Sequence, residues 1–342
     1  MTLVVKLGSS LVVDERGRVR RSLLAARAAE LAALREPVCL VSSGAIALGL
    51  VRLGFARRPT RTAQLQAASA AGQPLLQRAW EAALTRAGLR GAQVLLSPGD
   101  LAERSTYVNA RNALRELLKL GVVPVVNEND ATATDEITFG DNDALAAQVA
   151  VLVRARLLVL LTEVAGVYTA HPATPGAELI EVGEHAGEVV VGKRSPLGRG
   201  GMESKISAAR VAAAAGIPSV IASGRGRDVL APIVAGEARG TRFAAREGAE
   251  SAFRLWLRHA KPARGTLVLD DGARTAVVEG GRSVLAVGIA RCDGAFVAGD
   301  AVELTALDGT ALGKGIVSAD AGDLRERPRG VEAVHRDRLV LY

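Results

Sequence analysis

Residues 122–130 have the sequence VVPVVNEND, an apolar run that ends in four polar side chains. Near-continuous apolar runs of this length are typical of strands in a parallel sheet that helices cover on both faces. In such sheets, ligand sites form at the carboxyl ends of the strands. The stretch therefore predicts a buried strand that delivers Asn127, Asn129 and Asp130 to a binding site.

The same alternation of apolar runs and helical patterns extends over the first 240 residues. The further predicted strands are 3–7, 38–42, 93–96, 157–161 and 218–222, and the predicted helices are 22–35, 62–87, 107–120, 143–154 and 202–215. Gly88, Gly121 and Gly216 stand where helix C-caps are expected. Alternating strands and helices predict an α/β fold, with a mostly parallel central sheet between helices and right-handed crossovers.

The periodicity shortens after residue 263. Runs at 266–273, 274–281, 283–294, 295–310 and 311–320 are separated by DG, GG and GD pairs, which indicate short strands with tight turns. Residues 324–330, LRERPRG, resemble a charged surface loop. We therefore predict a first domain over 1–248, a partly helical linker over 249–263, and a small all-β domain over 264–342, built as a barrel.

Charge and aromatic content bear on whether the protein binds nucleotides or nucleic acids. The chain has a net charge of +7, but residues 264–342 hold 10 Lys/Arg against 12 Asp/Glu, and residues 1–263 hold 33 against 24. The basic character thus belongs to the first domain, where nucleotide phosphates could use part of it. Aromatic residues are only 3%, which disfavours the stacking platforms of single-strand nucleic-acid binding.

The sequence also predicts a cytoplasmic protein. Cys39 and Cys292 lie in neither a CxxC nor a metal-binding spacing, which favours reduced thiols. The first residues, MTLVVKLGSS, lack the order of a signal peptide, and no run of about 18 apolar residues is present to span a membrane.

Two early strands end in Ser/Gly turns that suit an anion. Lys6 stands in an apolar strand just before Gly8, so its ammonium group needs either solvent or an anionic partner. An edge strand with its lysine in water would explain Lys6 equally well. Ser43 and Gly44 follow the second strand and open a helix, whose free N–H groups can bind an anion. Ordinary helix capping explains that turn by itself.

Two later segments add polar residues. Residues 139–143, FGDND, come after a hairpin-like insert at 131–138 and open a helix that begins near Asn142 and Asp143. Residues 198–205, GRGGMESK, place Lys205 in the first turn of a helix behind glycines, which is a cradle for a phosphoryl group or simply a flexible loop. The P-loop pattern GxxxxGK[ST] does not occur in the sequence.

Taken in order, these motifs resemble the glutamate 5-kinases, a branch of the amino acid kinase family. The motifs are KLGSS, VSSGAIALG, VVNENDATAT, FGDNDALAA, LLTEVAGVYTAHP and GRGGMESK, and the C-terminal part resembles a PUA domain. The resemblance spans nearly the whole chain, and the paired NEND and GDND blocks are its most specific elements. It implies ATP-dependent phosphorylation of the γ-carboxylate of L-glutamate, with Mg²⁺ carried by the phosphates.

The resemblance also implies roles for individual residues. Lys6, Lys205 and Asp143 would form the catalytic group, and glutamate would be bound by Ser43, Asp130 and Asn142 with support from Asn127. ATP would be bound by Lys6, Gly8, Thr162, Glu163, Arg199, Gly200, Gly201, Met202, Glu203, Ser204 and Lys205. This chain has Glu163 where the family usually has Asp, and Arg199 where it commonly has Thr; Arg199 either reaches a phosphate or extends into solvent.

The resemblance alone implies feedback inhibition by L-proline and a homo-oligomer. The net charge of −2 and the few aromatic residues of the C-terminal part argue against RNA binding by that domain. Acetylglutamate kinase and aspartate kinase share the fold and are the alternatives among enzymes. An RNA-binding or regulatory protein is the alternative outside enzymes, because PUA domains elsewhere bind RNA.

Overall fold

The computed structural model describes residues 1–132, 142–183, 201–246, 248, 252–259 and 261–342. The chain divides into two compact units, Met1–Ala249 and Glu250–Tyr342, called the larger unit and the C-terminal unit below. The predicted insert at 131–138 falls mostly outside the described residues. The glycine-rich segment 198–200 lies wholly outside them.

The larger unit is built on a seven-stranded sheet. The unit's strands are β1 (Thr2–Leu7), β2 (Val38–Ser42), β3 (Arg90–Leu96), β4 (Val122–Glu128), β5 (Ala155–Thr162), β6 (Val167–Tyr168), β7 (Leu179–Ile180), β8 (Ser219–Ser223) and β9 (Thr241–Phe243). The sheet has the order β3-β4-β2-β1-β5-β8-β9, and β6 pairs with β7 in a separate hairpin. All neighbours in the large sheet are parallel except β8 and β9.

Helices connect these strands. They are α1 (Ser9–Val12), α2 (Arg21–Leu34), α3 (Ala45–Arg52), α4 (Thr62–Arg86), α5 (Pro98–Ala102), α6 (Arg104–Lys119), α7 (Asn142–Val153), α8 (Met202–Ala214) and α9 (Leu230–Ala235). The predicted C-cap glycines Gly88, Gly121 and Gly216 all have positive φ directly after a helix. The predicted α/β class and parallel sheet are confirmed.

Strand β1 is the middle strand of the sheet. Its apolar side chains Leu3, Val5 and Leu7 are fully buried in the core, as the continuous apolar run predicted. Lys6 pairs in register with Val41 of β2 and Leu160 of β5. Lys6 is therefore not the solvated lysine of an edge strand, and its charge must be compensated inside the protein.

Helices α3 and α4 pack with their backbones in contact. A Cβ atom on Gly49 would lie 1.6 Å from the Ala68 carbonyl oxygen, and one on Gly72 would lie 1.8 Å from that of Ala45. Only glycine permits this approach. The close packing fixes the start of α3, and with it the turn at Ser43 and Gly44, against the middle of α4.

The C-terminal unit carries a six-stranded sheet that forms half a barrel. Its elements are α10 (Ala252–His259), β10 (Ala263–Leu269), α11 (Asp271–Val278), β11 (Val284–Leu285), β12 (Ile289–Gly294), β13 (Ala301–Thr305), β14 (Ala311–Val317), α12 (Ala321–Arg325) and β15 (Glu332–Leu341). The order is β11-β15-β14-β13-β10-β12. The predicted small β domain is confirmed.

One local prediction in this unit is wrong, and another is right only in part. Residues 274–278 of the run 274–281 are not a strand but belong to α11, because the Asp270 carboxylate accepts a hydrogen bond from the Ala273 amide at 2.7 Å and caps the helix. Val277 of α11 is buried in the core of the C-terminal unit, which further stabilises the helix. The predicted surface loop at 324–330 is correct for 326–330, which follow α12 and carry exposed charged side chains, whereas Leu324 lies in α12 and is fully buried.

In the part of the chain that the structure describes, no helix combines the length and the apolar character needed to cross a membrane.

Candidate active site

The site centres on one carboxylate shared by two lysines. Lys6 comes from the carboxyl end of β1, and its ammonium nitrogen lies 2.7 Å from Asp143 Oδ1. Lys205, in the first turn of α8, lies 3.0 Å from Asp143 Oδ2. All three side chains are almost completely buried. Residues that are more than sixty positions apart in the sequence thus form one cluster.

Asp143 is held in its ionised form. Burial by itself would raise the pKa of its carboxyl group, but the ammonium groups of Lys6 and Lys205 lower it, and so do hydrogen bonds from Lys6 and Ser204. The result is a pKa well below the ordinary value. Ser204 donates to Asp143 Oδ2 at 2.8 Å. Within this cluster two ammonium groups face one carboxylate, an arrangement that attracts a further anion.

Glycines leave room beside the lysines. A Cβ atom on Gly8 would lie 3.9 Å from the Lys6 nitrogen, so any larger side chain there would approach the ammonium group. Gly201 is the N-cap of α8, and among the described residues nothing lies within 4 Å of where its Cβ would be. Main-chain amides at the start of α8 can therefore approach a bound anion closely.

A second polar group follows β4. Asp130 is buried, and its Oδ2 accepts a hydrogen bond from Ser69 of α4 at 2.7 Å. Burial raises the pKa of Asp130, although Ser69 and the charge of Arg58 act against this shift. Among the described residues, Asp130 Oδ1 and Asn142 Oδ1 are buried without a hydrogen-bond partner. Unsatisfied buried acceptors are what a ligand with hydrogen-bond donors would satisfy.

Asn127 and Ser43 take part in the framework of this region. The Asn127 side chain donates to Gln73 at 3.2 Å and accepts from the Glu128 amide at 2.9 Å, so its amide group is engaged within the protein. Ser43 is buried, and its amide donates to the carbonyl oxygen of Leu7 at 3.1 Å. The turn at Ser43 is thereby tied to the end of β1.

Besides Lys6 and Gly8, the described residues that are predicted to bind ATP lie at the carboxyl end of β5 and at the start of α8. Thr162 ends β5 and Glu163 follows it; the Glu163 carboxylate forms an ion pair with Arg225, just after β8. Met202 is half-buried and Glu203 is exposed. Arg199 and Gly200 lie outside the described residues.

Three contributors to these contacts were missed in the sequence: Ser69, Gln73 and Arg225. Ser69 and Gln73 stand four residues apart on the buried face of α4, between Ala68, Gly72 and Leu76. Polar residues in such an apolar stripe are a usable signal, because buried polar groups need partners. No comparable signal marks Arg225, since its partner is 62 positions away.

The described residues offer no group of three or more His, Cys, Asp or Glu side chains suited to a metal ion. Each oxygen of Asp143 lies against a lysine. The lysine-paired carboxylate does not fit a metal held by the protein alone, whereas a divalent ion bound to nucleotide phosphates needs no such cluster.

A parallel sheet whose carboxyl edge gathers two lysines, an aspartate and glycine-rich turns, without a P-loop, defines a phosphoryl-transfer site. The chain belongs to the amino acid kinase family: the model of that family matches residues 1–223, and the PUA domain model matches residues 265–337.

The similarity to individual relatives is closer. The chain is 43% identical to glutamate 5-kinase of Paraburkholderia phymatum over 99% of this chain and 97% of the relative. It is equally similar to the glutamate 5-kinases of Burkholderia cenocepacia, with the same coverage, and Ralstonia nicotianae, with 99% and 96%. Among solved structures, an isopentenyl phosphate kinase of T. acidophilum shares the fold, with a TM-score of 0.51, 18% identity and coverage of 71% and 100%.

Proposed function

We propose that the protein transfers the γ-phosphoryl group of ATP to the γ-carboxylate of L-glutamate, giving L-glutamyl 5-phosphate for proline biosynthesis. The observation that carries this proposal is the buried Lys6–Asp143–Lys205 cluster at the carboxyl edge of the sheet. Its position is that of an anion-handling site in an open α/β sheet. Full-length similarity to glutamate 5-kinases supports glutamate as the acceptor.

The chemistry needs no general base. A glutamate side chain has a reference pKa of about 4.3 and is already a carboxylate at neutral pH. One of its oxygens attacks the γ-phosphorus, the bond from phosphorus to the bridging β,γ-oxygen breaks, and ADP leaves with that oxygen's charge. The task of the protein is to bring two anions together and to stabilise the charge that spreads over the phosphoryl oxygens.

The lysines perform that task in this proposal. Lys6 and Lys205 bind the phosphates, and Asp143 holds both ammonium groups in position, as the 2.7 Å and 3.0 Å contacts indicate. Lys205 stands at the first turn of α8, where main-chain N–H groups and the helix dipole also favour negative charge. Such fixed donors act most strongly on the charge that develops in the transition state.

Glutamate would lie beside Asp130 and Asn142. The unsatisfied Oδ1 atoms of these two residues are acceptors, and the α-ammonium group of an amino acid is a donor that fits them. Ser43 would bind from the turn after β2, and Asn127 would support the group through Gln73. Thr162, Glu163 and the segment 199–205 would contact ATP, with Gly8 leaving space near Lys6.

Mg²⁺ would be held by the phosphate oxygens of ATP rather than by a cluster of carboxylates. When bound, it supplies additional positive charge on the phosphates. The proposal further includes a cytoplasmic homo-oligomer inhibited by L-proline and a PUA-like domain that does not bind RNA. The homo-oligomer and the inhibition rest on the family resemblance. The location rests on the free cysteines, and the absence of RNA binding rests on the net charge of residues 264–342.

An assay of ATP consumption with L-glutamate, N-acetylglutamate and L-aspartate tests the acceptor. We expect turnover with L-glutamate, reduced when L-proline is added, and little with the other two. Turnover with N-acetylglutamate alone would overturn the assignment, because an acylated amino group cannot supply the ammonium donor that Asp130 and Asn142 would accept.

A further inference from the structure

The loop between β8 and α9 carries an arginine to the nucleotide side of the site. Strands β5 and β8 are parallel neighbours, and Thr162 stands opposite Ser223 at their carboxyl ends. The Gly224 amide donates to the Thr162 carbonyl at 2.8 Å, which ties the two loops together. Arg225 then turns back and pairs with the Glu163 carboxylate.

This loop is anchored by charged side chains of α2. Arg27 is fully buried and donates to the Gly226 carbonyl at 2.7 Å and to Glu30 at 2.7 Å. The other oxygen of Glu30 accepts from the amides of Val229 and Leu230 at 3.1 Å and 2.9 Å. Burying an arginine is costly, so this anchor indicates that the course of the loop matters.

The ion pair itself adds little to folding. Glu163 and Arg225 keep 38% and 59% of their side-chain surface exposed. Pairs with this exposure contribute little to the stability of a protein. The loop between β8 and α9 is anchored, yet its ion pair with Glu163 contributes little to stability. A ligand that binds the Glu163 carboxylate would explain why the pair is held in place.

The charge of Glu163 restricts which part of ATP it can contact. A carboxylate repels the triphosphate, which Lys6 and Lys205 attract at the neighbouring strand and helix. The donors that ATP offers elsewhere are the ribose hydroxyls and the amino group of the base. In the dinucleotide-binding α/β fold, a carboxylate beyond the glycine-rich turn accepts a hydrogen bond from the ribose 2′-hydroxyl, and Glu163 is a carboxylate directly after β5 in a comparable sheet.

We propose that Arg225 is a positioning residue for nucleotide binding: it holds the Glu163 carboxylate in place to accept a hydrogen bond from the ribose 2′-hydroxyl. The inference rests on the proposed function, because it requires ATP at this edge of the sheet. Arg225 acts through Glu163 and does not touch the reacting phosphorus. Its loss therefore weakens the binding of ATP and leaves the chemical step and the binding of glutamate unchanged.

Calorimetric titration of the full chain with ATP and with 2′-deoxy-ATP tests this role. We expect Arg225→Ala to weaken ATP about fivefold, the size of one lost hydrogen bond, and to leave the weaker binding of 2′-deoxy-ATP nearly unchanged. Arg225→Lys, which keeps the charge, should recover part of the affinity. In a Glu163→Gln background, Arg225→Ala should add no further loss.

Three results would overturn the inference. Unchanged ATP affinity in Arg225→Ala would remove any role for the arginine. An equal loss for ATP and 2′-deoxy-ATP would show that the 2′-hydroxyl is not the group that the Arg225–Glu163 pair serves. A loss that disappears only with a purine riboside triphosphate lacking the base amino group would move the contact to the base. The melting temperature of each variant checks that folding is intact.

The titration combined with the ATP consumption assay separates this inference from the proposed function. If the wild type shows the expected selectivity between ATP and 2′-deoxy-ATP but does not phosphorylate glutamate, the role of Arg225 stands and the acceptor is wrong. If glutamate is phosphorylated and Arg225→Ala has no effect, the function stands and the positioning role is wrong.

Discussion

Lys205 of the larger unit and Lys314 of the C-terminal unit are both buried lysines, yet their ammonium groups meet different partners. Lys205 shares the Asp143 carboxylate with Lys6, beside the open N-cap glycine of α8. Lys314 donates to the carbonyl oxygens of Arg258 and Lys261 at 3.3 Å and 3.2 Å and lies 3.5 Å from Glu303.

The two lysines differ in their surroundings: one shares its carboxylate with a second lysine, and the other serves the fold of its own unit. Arg258 stands in the last turn of α10, where a helix leaves its carbonyls unsatisfied, and Lys261 follows the end of that helix, so Lys314 stabilises its own unit. Glu303 is satisfied as well, because the Tyr342 hydroxyl donates to it at 2.7 Å. The two lysines around Asp143 instead form a cationic cluster, and among the described residues nothing fills the space at Gly201 next to it.

The largest expected effect comes from Asp143→Asn. Removing the carboxylate leaves two buried ammonium groups without their shared partner, and breaking a buried pair in this way costs about 3–5 kcal/mol of unfolding free energy. We also expect turnover to be lost, since neither lysine is held in position. Urea denaturation and an ATP consumption assay measure the two effects.

The same variant has a pH signature. Because the folded pKa of Asp143 lies below its unfolded value of about 3.9, its contribution to stability is present above that value and is lost as the pH falls through the lower folded pKa. The stability difference between wild type and Asp143→Asn should therefore shrink below about pH 4. A stability difference between wild type and Asp143→Asn that stays constant down to pH 2 would contradict this account.

In Asp143→Asn combined with Lys205→Met, stability should partly recover and activity should not.

Lys205→Met should lower kcat by roughly 10²–10³, as expected for the loss of one donor to developing charge. Methionine keeps the apolar stem and removes only the ammonium group, so the fold should persist. Steady-state kinetics with ATP and glutamate check the value. Turnover close to that of the wild type would exclude Lys205 from phosphoryl transfer.

Lys314→Met is the matched control in the C-terminal unit. It removes the hydrogen bonds that Lys314 donates to the carbonyl oxygens of Arg258 and Lys261, and we expect a loss of about 1–3 kcal/mol in unfolding free energy. Since its contacts all lie within the C-terminal unit, kcat should stay within twofold of the wild type. Thermal denaturation and the same kinetic assay make the comparison, and a fall in kcat as large as that of Lys205→Met would abolish the distinction between the two lysines.

Ser69→Ala should have the smallest effect. Without the Ser69 hydroxyl, the already raised pKa of Asp130 rises further, because that hydrogen bond stabilises the ionised form. We expect KM for glutamate to increase about tenfold, with little change in kcat. The acid limb of kcat/KM should move to higher pH. An unchanged pH profile would mean that Asp130 does not bind the substrate in its ionised form.

The composition of local segments was enough to predict most of the fold. Short valine-rich apolar runs such as that of β4 favour buried sheet strands, and glycines such as Gly121 mark helix ends because their φ is positive. The run 274–281 shows the limit: its valines have strand propensity, but the Asp270 cap and the burial of Val277 make residues 274–278 helical.

The sequence by itself also determined the type of site, since Lys6, Asp143 and Lys205 stand in motifs whose order resembles that of a known family. Only the tertiary structure decided which groups meet. The shared carboxylate of Asp143, the hydrogen bond from Ser69 to Asp130 and the pair of Arg225 with Glu163 join residues about sixty or more positions apart. Local pattern carries no information on such pairings, because they depend on how strands are ordered in the sheet and how helices pack on it.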